Sequence, residues 1–220
     1  MAKTTAPLLS FDASGQIAKS MVASKWKGRQ YMRRHVVPAN PQTTAQMQTR
    51  DMFSFLNNIW RQLPALVTDP WTLMVQGQVQ TNRNAFIAAN IKAMRNAGGA
   101  PDATLAHFIF SNGAKSGPPP VSILVTPGAT QLTVNLNAPT SAPTGWTLTA
   151  MVAAAIRDQD PTSGALFKVT AGQDLTATYD IVLTGLTTGQ LYRVGGWAKW
   201  TKPDGSLAYS AQLQGSGTPT

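Results

Sequence analysis

The chain has 220 residues, enough for one or two domains with a buried core, and its 43% hydrophobic content excludes wholesale disorder. Only 12% of residues are charged, about half the ~25% usual for soluble domains, which suits a protein fixed in an assembly. There is no cysteine, hence no disulfide framework or thiolate metal site, and no glutamate, so all nine acids are aspartates.

The net charge of +9 sits entirely in one half. Residues 1–115 hold thirteen cations against Asp12, Asp51, Asp69 and Asp102, whereas residues 116–220 balance five cations against five aspartates. With a pI near 10.2, the chain calls for an acidic partner: nucleic acid, an anionic surface or an acidic protein.

In chain order, the opening residues lack the apolar core of a secretory signal. The longest apolar run, residues 150–156, falls far short of the ~20 residues that cross a bilayer. The expectation is a chain made in the cytoplasm with no membrane partner. Residues 9–37 show no helical period, and Gly15 and Gly28 suit turns, which predicts an extended arm or a β-hairpin. Within it, residues 19–34 gather Lys19, Lys25, Lys27, Arg29, Arg33 and Arg34 around Trp26 and Tyr31, with no acid between Asp12 and Asp51.

Three readings of that cluster stand together. Trp26 and Tyr31 stack on bases while the cations follow phosphates; or they anchor in a neighbouring subunit while the cations meet its carboxylates; or the cluster is a solvated face of its own domain. On charge alone, nucleic acid leads.

Helices come next. Asn40-Pro41 suggests a cap and a first-turn proline, after which Met52, Phe55, Leu56, Ile59, Trp60 and Leu63 follow a helical face up to Pro64. Thr68-Asp69-Pro70 repeats that start signal and predicts a second helix around residues 71–79. A third is expected over residues 84–96, with Phe86, Ile87, Ile91 and Met94 on one side and Gly98-Gly99 as the stop. Residues 116–121, with three consecutive prolines, are read as a semi-stiff linker between two domains, 1–115 and 122–220.

Beyond the linker the period becomes 2. Strands are predicted over residues 132–136, 146–156, 179–183, 191–200 and 209–213, with turns at 140–145, 158–164, 187–189 and 203–205. The fold class expected is α+β and multidomain: a basic α-rich platform with its arm or hairpin, then an all-β immunoglobulin-like sandwich.

Two resemblances sharpen this. The stretch from Leu183 through Gly185, Leu186, Gly189 and Tyr192 to Val194 resembles the late strands of a fibronectin type III domain. That family's pattern would make Tyr192 the corner tyrosine, Trp146 the core tryptophan, and Asp204-Gly205 with Tyr209-Ser210 the final hairpin. The alanine-rich run 151–156 departs from the pattern.

Residues 10–100 resemble a family of phage and prophage virion proteins, through Gly15-Gln16-Ile17, Trp26-Lys27-Gly28, Tyr31, Arg33, Asn40-Pro41, Thr43, Gln46, Arg50, Phe53, Asn82, Asn84-Ala85-Phe86-Ile87 and Asn90. This implies a non-enzymatic structural component of a tailed-phage virion. It would dock on capsid, neck or tail subunits through Lys19, Lys25, Trp26, Lys27, Arg29, Tyr31, Arg33 and Arg34, in many copies or as a homo-oligomer. The resemblance also implies that the sandwich projects from the particle as a decoration, cement or fibre-anchoring module.

Catalytic chemistry has little to stand on. His35 and His107 are the only histidines, no nucleophile motif or phosphate loop occurs, and no cofactor, metal or catalytic residue is assigned. Asp158 and Asp160 are turn residues or, less simply, cation ligands. Two rivals to the virion reading are a DNA-binding accessory protein using the same cations, and a carbohydrate- or receptor-binding module using Trp197 and Trp200.

Overall fold

The computed structural model describes residues 2–3, 14–37, 39–95, 99–102, 104–162, 169–174 and 179–220. By its contacts the chain divides into two units, Met1–Gln42 and Thr43–Thr220.

Among the described residues, the first unit is a four-stranded antiparallel sheet, β1 (Ala2–Lys3), β2 (Gly15–Ile17), β3 (Met21–Trp26) and β4 (Arg29–Arg34), in the order β1-β4-β3-β2. Of the two forms expected for residues 9–37, the hairpin is the one present; residues 9–13 lie outside the described residues. Gly28 is a turn residue, but Gly15 opens β2 opposite Ala23 with φ +121°, a strand-end position rather than a turn.

The second unit begins with three helices, α1 (Thr44–Trp60), α2 (Ala65–Met74) and α3 (Asn82–Ala93). Their starts correct the sequence reading. Thr43, not Asn40, caps α1, its hydroxyl accepting from the Gln46 N–H at 3.4 Å. α2 starts one turn before Thr68-Asp69-Pro70, at Ala65 directly after Pro64, and carries Pro70 inside it. The reason is burial: Val67 and Trp71, four apart on one face, are 0% and 1% exposed, and sinking both requires the earlier turn to be helical. The Val67 N–H closes that turn onto the Pro64 carbonyl at 2.9 Å. α3 ends at Ala93, well before Gly99; Asn96 and Gly98 lie outside the described residues.

Among the described residues nine strands follow: β5 (Asn112–Ala114), β6 (Ile123–Gly128), β7 (Gln131–Leu136), β8 (Thr147–Arg157), β9 (Thr170–Asp174), β10 (Asp180–Thr184), β11 (Tyr192–Thr201), β12 (Leu207–Ala211) and β13 (Leu213–Gly217). One sheet runs β10-β7-β6; the other runs β5-β12-β11-β8-β9, with β13 also on β11. Two antiparallel sheets face to face over a shared core make this an immunoglobulin-like β-sandwich, strand-rich and flanked by three helices. Leu132, Val134, Leu136, Met151, Ala153, Ala155, Ile181, Leu183, Val194 and Trp200 fill the space between the sheets.

The larger sheet is buried on both faces. Its second face, with Val152, Ala154, Ile156, Trp197 and Tyr209, joins one hydrophobic cluster with Met52, Phe55, Trp71, Phe86, Phe108 and Phe110 from the helices and the segment after them. That explains the departure at residues 151–156, every one of which is at most 1% exposed. A strand covered on both sides carries no polar alternation, and small alanines let both layers approach.

Residues 116–121 therefore do not separate the helices from the sandwich. The Gly117 N–H donates to the Tyr209 carbonyl at 3.2 Å, the Trp200 indole N–H to the Pro118 carbonyl at 2.9 Å, and the Val121 N–H to the Asn137 carbonyl at 3.0 Å. The proline segment is a strap laid along the sheets.

Candidate docking surface

The basic surface is built by one tight hairpin. Trp26 and Arg29 pair across a two-residue loop, Lys27-Gly28, whose φ values of 48° and 77° are both positive. That is the type I′ turn whose twist matches the flanking strands, and glycine takes the second position without strain. The register then fixes which side chains share a face, because neighbours along a strand alternate.

One face carries Trp26 opposite Arg29, Ser24 opposite Tyr31, and Val22 opposite Arg33. The other carries Lys25 opposite Gln30, Ala23 opposite Met32, and Met21 opposite Arg34. Lys19 and Lys27 stand in the turns at opposite ends of β3. The eight residues singled out in the sequence are thus not one patch. The structure brings Trp26, Arg29, Tyr31 and Arg33 together, puts Lys25 and Arg34 behind them, and leaves two lysines at the ends.

On the first face Trp26 is 66% exposed and Arg29 and Arg33 are exposed, with Tyr31 half-buried between them; the second face holds the buried Ala23 and Gln30 between the exposed Met21, Lys25 and Arg34. Lys27 Nζ lies 5.0 Å from the centroid of the Trp26 ring, a cation–π contact.

Alternation also settles whether these cations need a counter-charge to fold. Arg33 and Arg34 point to opposite faces, and Arg29 and Arg33, four residues apart, are ~13 Å apart along the strand. Their repulsion in water is about 0.3 kcal/mol and falls further with physiological salt. The sheet is cationic without being strained by it. Seven cations against the single Asp12 in the first unit give +6, two-thirds of the whole charge in 42 residues.

The remaining candidates have structural employment. The Asp158 carboxylate pairs with Arg193 at 2.8 Å and accepts the Leu105 N–H at 2.7 Å, while Asp160 accepts the N–H and hydroxyl of Thr162 in its own turn. His35 belongs to the first unit and His107 to the second. Among the described residues, no group of three histidines or aspartates is placed to hold a metal ion. Among the described residues, no helix is long and apolar enough to cross a membrane.

Trp197 and Trp200 point to opposite faces of β11 and are 0% and 2% exposed, so neither is the exposed aromatic that a carbohydrate-binding reading needs. Trp146 is only partly buried, edge-on to Trp200 at 6.5 Å, and does not occupy the core position that the fibronectin pattern implies. Tyr192 does act as a corner: its hydroxyl accepts the Thr187 N–H at 2.9 Å.

Sequence reasoning missed a groove between α2 and β12, of about 330 Å³, lined by Asp69, Thr72, Leu73, Gln76, Leu207 and Tyr209. Burial first, and the Asp69 charge second, push the Tyr209 phenol up to about 12. No residue pattern could have announced this groove, since its two walls are more than 130 positions apart.

No protein-family model matches this chain, and no curated protein does. Among solved structures it is similar to a computationally redesigned β-sandwich protein (18% identity, TM-score 0.33, over 46% of this chain and 88% of that one). A structure described as a myokine matches at 16% identity and TM-score 0.33, over 48% of this chain and all of that one. A human fibronectin type III domain, the fourth of its protein, matches at 21% identity and TM-score 0.31, over 49% and 82%.

Proposed function

We propose that this chain is a non-enzymatic structural component of a tailed-phage particle, anchored by its basic sheet on an acidic component of the particle and presenting the helix-braced, fibronectin-III-like sandwich outward. The observation that carries the anchoring step is the face that brings Trp26, Arg29, Tyr31 and Arg33 together on a preformed sheet. A preformed cationic surface binds without first ordering a segment, and repeated weak contacts become firm on a symmetric particle. The virion reading is supported by the resemblance of residues 10–100, whose Trp26-Lys27-Gly28 motif is the hairpin turn itself. The bracing of one sheet on both faces suits a module that must keep its shape while held at one end.

The test is a reconstruction of the source particle. The reading predicts regularly repeated density for the chain, with the first unit against the particle and the sandwich toward solvent. Absence of the chain from purified particles would overturn it.

A further inference from the structure

We infer that the chain associates head to tail with copies of itself, an outward stripe of Met47, Arg50 and Phe53 on α1 of one copy seating in the α2–β12 groove of the next. The contact involves none of the first unit's cations and leaves the basic sheet free to meet the particle.

The stripe follows from the helix period. Met52, Phe55, Leu56 and Ile59 form the buried face of α1. Residues spaced by three make an inclined row along a helix, and the row Met47, Arg50, Phe53 runs along the side turned away from that core. Met47 is 36% and Phe53 50% exposed, and the Arg50 guanidinium reaches the Met47 sulfur at 3.9 Å. The start of the helix is barely covered: of residues 44–50, only Gln48 is even half-buried. Methionine, arginine and aromatic residues are the types enriched where proteins meet proteins.

The groove is the matching half. Leu73 and Leu207 give it half-buried apolar walls beside Tyr209, and Asp69 is the charged residue of its lining. Asp158, Asp160, Asp180 and Asp204 each accept a hydrogen bond within their own chain. The exposed Asp69 carboxylate has neither a hydrogen bond nor an ion pair among the described residues. A ring beside a guanidinium on one surface, and apolar walls beside an unpaired carboxylate on the other, match in both polarity and charge. Another depression in the same unit is lined by Arg157 with no acid, and would repel Arg50.

Phe53 and Met47 stay exposed in their own chain, so the pairing is between copies. Stripe and groove are different surfaces of one unit, which makes the contact heterologous: each docking leaves a stripe and a groove open for the next copy. A small contact of this kind gains strength when it is repeated around a particle.

Sedimentation of the full-length chain over a range of concentrations tests the contact. The parent's weight-average mass should rise with concentration past that of a dimer, and rise less at high salt. A stripe variant, Arg50→Asp with Phe53→Ala, and a groove variant, Asp69→Lys, should each stay monomeric, their association weakened by more than roughly tenfold. Asp69→Asn, the milder groove change, should weaken association in the same direction. Mixed together, the stripe and groove variants should form a dimer and stop there, because only one intact stripe and one intact groove remain between them. Thermal midpoints unchanged from the parent show that the variants are folded.

A parent that stays monomeric throughout, variants that associate as the parent does, or a mixture that fails to dimerise would each overturn the inference. A chain found in regular copies on purified particles but monomeric in solution refutes it and leaves the virion reading standing.

Discussion

The indole N–H of Trp71, on the second helix, donates to the main-chain carbonyl of Phe110 at 2.7 Å. The Phe110 N–H in turn is taken by the side-chain oxygen of Gln212 at 2.6 Å, and the Gln212 amide donates to the Phe108 carbonyl at 2.7 Å. Helix, connecting segment and the junction between β12 and β13 are thus tied through one buried peptide stretch, in the middle of an aromatic series running from Trp60 through Phe86, Phe108 and Phe110 to Trp197.

Trp71→Phe is expected to destabilise the second unit by about 2–4 kcal/mol, because the Phe110 carbonyl loses its buried donor and the smaller ring leaves a void. Guanidinium denaturation should show the lower midpoint with an unchanged slope.

Adjacent glycines on β11 separate the two cores. A Cβ on Gly195 would stand 2.5 Å from the Phe110 ring and 2.8 Å from the pinned Gln212 oxygen; one on Gly196 would stand 2.5 Å from a Leu136 methyl. Leu136 ends in a rotatable group, whereas Phe110 and Gln212 are held by the bonds above. Gly195→Ala should therefore cost more than Gly196→Ala, each within or somewhat above the usual ~1–3 kcal/mol of overpacking, as read from thermal melts.

The raised Tyr209 makes stability fall at high pH. The folded state holds the phenolic proton up to about 12, against 10.0 when unfolded. Its contribution is whole below pH ~10 and is lost as pH rises through ~12, since the unfolded chain releases the proton first. Tyr209→Phe should melt with a shallower decline between those limits, and identical slopes would show that the phenol is not shielded.

The tyrosine corner gives a smaller, local effect. Tyr192→Phe removes the acceptor of the Thr187 N–H, part-buried in the turn before β11, and should cost about 1–2 kcal/mol without altering any binding by the first unit.

Much of this was legible in the residues where a single period ruled. β7 and β10, buried on one face only, alternate cleanly, and the tyrosine corner was implied by the resemblance of residues 183–194 to fibronectin type III strands. β6 was hidden by Pro127 and by the prolines just upstream, and β9 by a polar, glycine-containing edge sequence. The final strand, read as one, divides at Gln212, whose side chain is diverted to Phe110 and Phe108. The prolines at 118–120 read as a spacer because composition shows stiffness, not what the backbone carbonyls meet.

The site was half legible. Cation density singled out residues 19–34, yet only the register set by Lys27-Gly28 shows that Arg33 and Arg34 lie on different faces. A linear run of charge carries no facing until its turn is known. The helix-to-sheet contact was least legible, because it depends on which second surface β8 buries.

That the three helices and the two sheets are one body, leaving the concentrated cationic surface to the first 42 residues, is the point on which the division of labour rests. Hydrogen exchange of the intact chain at rising denaturant measures it directly. The slowest amides of α2 and α3 should open with the same free energy as those of β8 and β11, and lose protection together. Helices that exchange out at low denaturant while β8 and β11 stay protected would contradict it, and would restore the proline segment as a boundary.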